Sequence, residues 1–181
     1  MNIIQTALSD VLIIEPRVFA DARGFFYESY NKKLLIDKAG ITAEFIQDNH
    51  SRSGKNVLRG LHYQIKRPQG KLVRVIEGSV FDVTVDIRKY SPTFGKWVGF
   101  NLTSDNKRMV WVPPGFAHGF LTLSDSCEYL YKTTDYWHPE HERCLLWSDP
   151  ALGINWPISG EPIMAAKDAA GLRLQEADLY Q

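Results

Sequence analysis

Short apolar runs, separated by turn-forming residues about every eight to twelve positions, extend through most of this chain. In the clearest run, Val80 to Ile87, apolar and polar residues alternate with the period of a β-strand. We predict that this strand forms a hairpin with Lys71 to Ile76 around the turn Glu77-Gly78-Ser79. Further strands are predicted at Trp97 to Leu102, Arg108 to Val112, Gly119 to Leu123 and Glu128 to Thr133. The pattern predicts an all-β barrel or sandwich.

Helical patterns are few in this sequence. Asn31 to Gly40 is predicted to be a short helix, with Asn31 as its N-cap and Gly40 as its stop. The segment from Pro139 to Gln181 is richer in Pro, Gly and Ala, and we expect it to wrap the barrel with a short helix after Asp168. We expect residues 1–181 to form a single domain with an N-terminal arm, burying roughly 70% of the unfolded surface.

Acidic and basic side chains balance, since Lys plus Arg and Asp plus Glu number 21 each. No strong long-range field favours nucleic acid or an anionic membrane, and we expect neither as a partner. The N-terminus lacks a signal-peptide pattern, and no stretch approaches the ~18 apolar residues of a membrane span. With Cys127 and Cys144 as its only cysteines, the chain is expected to be cytoplasmic and reduced.

Two segments concentrate chemically useful residues. One runs from Arg59 to Gln64 and is followed by Lys71; the other runs from Pro113 to Phe120 and contains His118. They resemble the two motifs of cupin barrels, in which three histidines and a glutamate bind one metal ion. Gln64 stands where the second histidine would be, and two histidines, an amide and an ammonium are a poor cage for a divalent ion. We therefore expect no metal, and instead proton transfer beside an anion.

Strand alternation raises a difficulty for the first of these segments. It places Arg59 and His62 on opposite faces, so both reach one pocket only if Gly60 marks a bulge or bend. The same alternation predicts that Tyr129 and Tyr131 share a face.

Motifs spread over nearly the whole chain narrow the resemblance to one family. They are Phe25-Phe26-Tyr27-Glu28, Gln47-Asp48-Asn49-His50-Ser51, Leu58-Arg59-Gly60-Leu61-His62, Pro113 to Phe120, Tyr131-Lys132-Thr133-Thr134-Asp135 and Lys167-Asp168. The chain resembles the dTDP-4-dehydrorhamnose 3,5-epimerases. That resemblance implies a cupin-like jelly roll with a few short helices. It also implies inversion of C3 and C5 of a dTDP-linked 4-keto-6-deoxyhexose without cofactor or metal.

Epimerisation beside a carbonyl needs a base, a group that holds the enolate oxygen, and an acid on the opposite face. His62 fits the base, because neutral imidazole has a reference pKa of about 6.5, near the working pH. The resemblance pairs it with Asp168, whose carboxylate would orient the ring and stabilise the imidazolium. Taken alone, a hydrogen-bonded core histidine and a helix cap are the commoner explanations for these two residues.

Lys71 fits the group that holds the enolate, because an ammonium in a water-poor pocket stabilises charge developing in the transition state. Tyr131 fits the acid, since its reference pKa of about 10 keeps it protonated until a strong carbon base forms. The inward-facing Asp82 is a candidate to accept the Tyr131 hydrogen bond. Taken alone, Lys71 reads as a solvated lysine and Tyr131 as a core aromatic residue.

The chain has no net positive charge to attract a diphosphate, so individual hydrogen-bond donors must bind its phosphate oxygens. Arg59 is the strongest candidate, since a guanidinium forks onto phosphate oxygens. The resemblance adds Arg23 and Glu28, from a loop that crosses to the neighbouring subunit in the family, and so implies a homodimer with shared sites. It assigns further sugar, phosphate or nucleotide contacts to Phe19, Phe26, Gln47, Asn49, His118, Glu142 and Lys167. Where the family usually stacks a tyrosine on thymine this chain has Trp137, with a larger face and no hydroxyl.

Three alternatives remain open at this stage. The first is a close relative that inverts only one centre of the same dTDP-sugar or moves its keto group. The second, a metal-dependent cupin oxygenase, belongs to a different class of enzyme. A non-catalytic sugar-nucleotide binding module would bind the sugar without exchanging its protons.

Overall fold

The computed structural model describes residues 1–158 and 160–181, which form mainly β-strands. The strands are β1 (Asn2–Gln5), β2 (Leu12–Glu15), β3 (Phe19–Asp21), β4 (Gly24–Phe26), β5 (Gln47–Gly54), β6 (Leu58–Gln64), β7 (Lys71–Glu77), β8 (Ser79–Asp86), β9 (Trp97–Thr103), β10 (Met109–Val112), β11 (Phe116–Thr122), β12 (Ser126–Thr133) and β13 (Glu142–Cys144). The helices are α1 (Lys32–Ala39) and α2 (Ala166–Ala169), and a 3₁₀ turn spans Pro139–His141. None of the helices in these described ranges is long and apolar enough to cross a membrane.

Two antiparallel sheets form the body of the fold. The first has the order β1-β2-β10-β7-β12-β5, and the second has the order β13-β6-β11-β8-β9. A separate two-stranded sheet consists of β3 and β4. Neighbouring strands within each sheet are often distant in sequence, because the chain crosses repeatedly from one sheet to the other. The fold is the expected cupin-like jelly roll.

The predicted hairpin is wrong, although both of its strands exist. β7 pairs with β10 and β12 in the first sheet, whereas β8 pairs with β9 and β11 in the second. The chain changes sheets at Gly78, whose φ is +76° and where a Cβ would lie 2.1 Å from the carbonyl oxygen of Ser126. A hairpin turn and a tight crossover carry the same turn residues, so local sequence does not separate them.

The main apolar core lies between the two sheets. Val75 and Val110 of the first sheet are buried in one cluster with Val80 and Phe120 of the second. This cluster fixes the distance between the sheets. Side chains on the inner faces therefore point towards a common interior.

The outer faces of both sheets are partly covered by other segments. Leu145 and Leu174 of the C-terminal region pack with Val85 on the second sheet. Leu35 of α1 packs with Trp111 on the first sheet. The C-terminal region thus lies against the sheet that carries β6 and β11.

The predicted helix at Asn31 to Gly40 is confirmed. The Asn31 side chain accepts a hydrogen bond from the backbone N–H of Leu34, and Gly40 ends α1 in the left-handed conformation at φ 68°. The helix predicted after Asp168 is wrong in position, because α2 contains Asp168. β11 also begins at Phe116 rather than at Gly119, so its histidine lies within the strand.

Candidate active site

A cavity of about 370 Å³ lies between the two sheets. Its walls come from β5, β7 and β12 of the first sheet, β6 and β11 of the second, and α2. The predicted site residues that line it are Gln47, Asn49, Arg59, His62, Lys71, His118, Tyr131, Trp137, Glu142, Lys167 and Asp168. The fold therefore gathers residues from positions 47 to 168 around one space.

A bulge in β6 brings Arg59 and His62 into this cavity together. His62 pairs with His118 of β11, but Arg59 pairs with Phe120, so β6 uses one residue more than β11 over this stretch. Gly60, at φ +129°, lies within the bulge. A Cβ there would be 2.5 Å from the Cα of Gly119, so the close approach requires glycine. The bulge or bend expected at this glycine is confirmed.

His62 and Asp168 form a hydrogen-bonded pair in the cavity wall. His62 Nε2 lies 2.7 Å from Asp168 Oδ1, and the Gly60 N–H donates to Oδ2 at 3.3 Å. Burial by itself raises the pKa of Asp168, but the hydrogen bond and charge of His62 outweigh it and leave this pKa below its usual value. Asp168 is therefore ionised at neutral pH. Nε2 carries the shared proton, and Nδ1 is free of the carboxylate.

Lys71 is a buried cation at the start of β7, with 8% of its surface exposed. Burial lowers the pKa of its ammonium to about 8, while the charge of Glu142 acts in the opposite direction. Glu142 itself accepts a hydrogen bond from Lys167 at 2.9 Å. Lys71 is thus not the solvated lysine that its sequence position suggests when taken alone.

Tyr131 lies on β12, in the first sheet, and lines the cavity opposite the β6 wall. Burial, and then the charge of Glu142, raise the pKa of its hydroxyl above the usual value. The phenol therefore remains protonated at neutral pH. Its placement across the cavity from His62 is the arrangement that protonation from the opposite face requires.

The expected hydrogen bond between Asp82 and Tyr131 is wrong. Asp82 instead accepts from Tyr129 at 2.5 Å and lies 3.0 Å from His118 Nε2. Tyr129 precedes Tyr131 by two residues on β12, a displacement of roughly 7 Å, and is therefore the tyrosine level with Asp82. Burial and the Asp82 carboxylate raise the pKa of Tyr129 well above its usual value.

This buried group of Asp82, His118 and Tyr129 was not predicted as a unit. All three residues are less than a tenth exposed, and the histidine and tyrosine line the cavity. The signal was present, because strand alternation places each of the three on an inner face. The cross-sheet partnership itself depends on registers that a single sequence does not provide.

The candidate nucleotide contacts lie towards β5 and the end of β12. Gln47 donates to Asn49 at 2.9 Å, and Arg59 donates from Nε to the Ser53 hydroxyl at 3.0 Å. Trp137 is 56% exposed and lines the cavity, so its ring is open to solvent and to a ligand.

Gln64 holds the backbone on both sides of Trp137. Its Nε2 donates to the carbonyl oxygens of Arg67 and Tyr136 at 2.7 and 3.2 Å, and its Oε1 accepts from the His138 N–H at 2.7 Å. The amide is 3% exposed. The residue that stands where cupins have a metal-binding histidine therefore fixes the backbone around Trp137, the exposed residue that marks the cavity mouth.

Arg23, Phe26 and Glu28 do not line the cavity of their own chain. They belong to the β3–β4 hairpin and the residues that follow it. Phe25 and Phe26 are 62% and 67% exposed. Arg23 pairs with Asp21 at 2.6 Å on the surface.

The donors of the cupin motif are not assembled for a metal ion. His62 faces Asp168, His118 faces Asp82, and Gln64 binds backbone groups. The two motif histidines do not occur together in a cluster of metal-binding side chains within residues 1–158 and 160–181. This donor chemistry does not fit the metal site of a cupin oxygenase.

Known proteins resemble the chain along its whole length. A sequence model of the family described as dTDP-4-dehydrorhamnose 3,5-epimerase matches residues 5–176. A protein of that name from Salmonella typhimurium is 58% identical over 182 residues, covering 100% of both chains. Another from Pseudomonas aeruginosa is 55% identical over 180 residues, covering 99% of each.

A solved structure gives the same similarity in three dimensions. The dTDP-6-deoxy-D-glucose-3,5-epimerase from Legionella pneumophila, crystallised in complex with dTDP-4-keto-L-rhamnose, superposes with a TM-score of 0.97 at 52% identity. The match covers 99% of this chain and 97% of that chain.

Proposed function

The chain belongs to the dTDP-4-dehydrorhamnose 3,5-epimerase family, and we propose that it inverts C3 and C5 of dTDP-4-dehydro-6-deoxy-D-xylo-hexose through an enolate, giving dTDP-4-dehydro-L-rhamnose. The observation that carries this proposal is the His62–Asp168 pair in the wall of a cavity that Lys71 and Tyr131 also line. The proposed reaction moves protons only, and this chain's side chains supply the groups for each transfer.

In the proposed first step, His62 removes the proton from the carbon next to the keto group. Asp168 holds the proton on Nε2, which leaves the Nδ1 lone pair available to the substrate. As the imidazolium forms, the ionised carboxylate beside it stabilises the new charge. The 26% exposure of the histidine side chain leaves it accessible from the cavity.

In the same step the keto oxygen becomes an enolate, and Lys71 is proposed to stabilise it. Its ammonium is buried, and a charge in a water-poor site interacts strongly with another charge. The pKa of about 8 leaves most of the population protonated at neutral pH. The amine can therefore donate a hydrogen bond to the oxygen as negative charge develops.

Tyr131 is proposed to return a proton from the other face of the sugar ring. It belongs to the first sheet, whereas His62 belongs to the second, so the ring would lie between them. Proton removal on one face and addition on the other inverts the centre. Repetition at the second carbon next to the keto group gives the double inversion.

The nucleotide is proposed to lie along β5 and the cavity mouth. Arg59 meets the diphosphate, Gln47 and Asn49 bind the nucleotide, and Trp137 stacks on thymine. His118, Glu142 and Lys167 complete the sugar and phosphate contacts. Their common position around the cavity supports this assignment.

We propose that the active unit is a homodimer of single-domain chains that share their sites. Each β3–β4 hairpin exposes two adjacent phenylalanines, Phe25 and Phe26, and such a patch is typical of an interface. In a two-fold dimer each chain gives its hairpin and receives the partner's hairpin. Arg23, Phe26 and Glu28 would thereby reach the neighbouring cavity rather than their own.

Proton NMR of the keto sugar nucleotide with enzyme in heavy water tests the reaction. We expect deuterium at both C3 and C5 and formation of the L-rhamno product. Deuterium at one centre alone would indicate a mono-epimerase, and migration of the keto group would indicate a ketoisomerase. Tight binding without any deuterium in the sugar would contradict catalysis, while consumption of dioxygen would indicate a metal-dependent oxygenase.

Subunit mixing tests the shared site separately. Arg23→Ala and His62→Ala homodimers are each expected to have low activity, but a mixed dimer has one site with both residues intact. Random exchange makes about half the dimers mixed, each with one good site of two, so activity should recover to about a quarter of wild type. Absence of recovery after confirmed exchange would mean that Arg23 does not serve the partner's cavity.

A further inference from the structure

Cys144 borders the His62–Asp168 pair from the edge of the second sheet. β13 pairs with β6 so that Cys144 lies directly opposite His62, while Asp168 approaches from α2. A ring nitrogen, the sulfur and a carboxylate oxygen from these three residues all lie within 4.8 Å of one another. In the part of the chain that the structure describes, no other trio of His, Cys, Asp or Glu donors is gathered so closely.

These three donors are the types that zinc binds in proteins. Imidazole nitrogen, thiolate sulfur and carboxylate oxygen bind Zn²⁺ at about 2.0–2.3 Å, and three protein ligands with one open position are usual where a site faces a cavity. Magnesium and calcium prefer oxygen ligands, so the nitrogen and sulfur select against them. We propose that His62, Cys144 and Asp168 form an inhibitory Zn²⁺ site next to the reacting sugar.

Only small side-chain movements are needed to close this trio around an ion. Tetrahedral coordination at those bond lengths separates neighbouring ligand atoms by roughly 3.3–3.7 Å. The His62 and Asp168 atoms must open from 2.7 Å by less than about 1 Å. The sulfur must close from at most 4.8 Å by about 1 Å. His62 and Asp168 line the cavity, and the half-buried Cys144 lies opposite His62 on the neighbouring strand.

Zinc at this position would prevent His62 from acting as the base. Only this expected inhibition rests on the proposed function, whereas the metal site itself does not. Binding releases the thiol proton, because the thiolate is the ligand. An imidazole bound through Nε2 keeps its proton on Nδ1, so neither ring nitrogen can accept a proton from the sugar. Arg59 and Trp137 are not ligands of the ion. The zinc form therefore still binds the nucleotide but does not exchange the sugar protons.

The test titrates Zn²⁺ into the full-length enzyme and measures turnover together with dTDP binding. At saturation, turnover should fall by ~10²-fold or more, the effect of losing a general base, while dTDP affinity stays constant. Co²⁺ replaces Zn²⁺ as the spectroscopic probe, and it should give thiolate-to-metal charge-transfer absorption.

Cys144→Ala separates this site from other zinc binding. Without metal, the variant should keep wild-type turnover. With metal, it should lose the cobalt band and need at least ~10-fold more Zn²⁺ for the same inhibition. Loss of a residue that only hydrogen-bonds to a metal ligand already lowers metal affinity by about that factor, so loss of a ligand should cost at least as much. Cys127→Ala is the matched control, because Cys127 is fully buried in the core between the sheets. That variant should remain as sensitive to zinc as the wild type.

A surface group near the cavity mouth is the competing location. His138 and His141 have ring nitrogens 3.6 and 3.8 Å from Glu140 Oε1. Zinc binding there would be removed by His141→Ala, which the present proposal expects to leave inhibition unchanged. A loss of zinc inhibition in His141→Ala would therefore overturn the assignment.

Equal zinc sensitivity of wild type and Cys144→Ala, or a wild-type cobalt spectrum without the thiolate band, would also overturn it. If Cys144→Ala fails to fold, Cys144→Ser preserves the side-chain size and should likewise lose the band. The cobalt band does not depend on turnover. A protein that shows the band but has no activity when metal-free would therefore contradict the proposed epimerase function and not the metal site.

Discussion

His62 Nε2 and Asp168 Oδ1 lie 2.7 Å apart although 106 residues separate them in the sequence. The carboxylate comes from α2, a four-residue helix near the C-terminus, and its second oxygen accepts the Gly60 N–H at 3.3 Å. Both carboxylate oxygens of Asp168 therefore accept a hydrogen bond, one from the imidazole of His62 and one from the backbone of the bulge in β6. Because of these two hydrogen bonds, a substitution of Asp168 would change the tautomer of His62.

Asp168→Asn should depress turnover by imposing the wrong histidine tautomer. The Gly60 N–H needs an oxygen opposite it, so the new amide would turn its NH₂ group towards His62. The imidazole would then accept at Nε2 and carry its proton on Nδ1, where the base must be free. We expect turnover to fall by at least ~10²-fold with dTDP affinity retained, as for His62→Asn. Near-normal deuterium exchange in either variant would contradict the assignment of the base.

Tyr131→Phe should separate proton exchange from inversion. His62 remains able to remove and return a proton on its own face, so deuterium should still enter the sugar. Net inversion at one or both centres should be blocked, because the acid on the opposite face is missing. NMR in heavy water measures both quantities in one sample. Equal loss of exchange and inversion would instead indicate that Tyr131 only positions the ring.

The pH dependence of kcat/KM should show an alkaline limb with an apparent pKa of about 8. Burial lowers the pKa of Lys71 to that value, and the proposed role needs the protonated form, so activity is lost as pH rises through it. Burial raises the pKa of Tyr131, which places loss of its proton at higher pH. Glu142 raises the pKa of Lys71, so Glu142→Gln should move the limb to lower pH. An unmoved limb in that variant would assign it to another group.

Gln64→Leu should weaken nucleotide binding through Trp137 while leaving turnover at saturation nearly unchanged. The substitution removes the hydrogen bonds that hold the backbone on both sides of the indole. We expect dTDP affinity to fall by no more than the loss expected for Trp137→Ala, which is about 1–3 kcal/mol for a stacked base. The double variant Gln64→Leu/Trp137→Ala should lose little more dTDP affinity than Trp137→Ala alone. Additive losses, or a large fall in kcat, would contradict this positioning role.

Asp86→Asn should destabilise the protein at neutral pH and remove part of its acid sensitivity. The buried carboxylate accepts hydrogen bonds from Arg88, Ser91 and Thr93. Burial raises its pKa, but these bonds outweigh burial and lower the value from 3.8 to about 2. The stabilisation is therefore complete above about pH 4 and lost as pH falls through about 2, and is worth on the order of 2 kcal/mol.

Urea unfolding at several pH values measures the effect at Asp86. The difference between wild type and Asp86→Asn should be largest at neutral pH and shrink towards pH 2. Asp10→Asn is the matched control, because Asp10 binds the same Arg88 from an exposed position and should contribute little. A pH-independent difference would show that the lost size or geometry, rather than the charge, destabilises the variant.

The strands and α1 could be predicted because their signals are local. Alternation marks Val80 to Ile87, and Asn31 and Gly40 mark the ends of the helix. The pairing of the strands could not be predicted in the same way. The segment around Gly78 has the residues typical of a hairpin turn, yet in the structure it connects strands of two different sheets. Pairing across a jelly roll is decided by burial of the whole chain rather than by neighbours in sequence.

The cavity residues were predictable to the extent that motifs identify them. Alternation placed Tyr129 and Tyr131 on one face, but only the three-dimensional register decides which of them is level with Asp82. The sequence showed that Gln64 replaces a metal-binding histidine, but it did not show what Gln64 binds instead. Two of its three partners, Tyr136 and His138, lie more than seventy residues away in the sequence. Such contacts depend on the position of a loop that no local pattern specifies.

The irregularity at Gly60 also limits how β6 can change in length. Arg59 and His62 share a cavity because three residue steps in β6 span two steps in β11. Deletion of one residue between them would leave two steps on each strand, so regular alternation would still place both side chains on one face. The deletion would nevertheless remove the bulge, and with it the position from which the Gly60 N–H donates to Asp168 and the close approach of Gly60 to Gly119. Insertion of one residue would instead require a wider bulge against the same two steps of β11. For evolution or for a protein designer, the length of β6 is therefore tied to the position of the carboxylate beside its histidine.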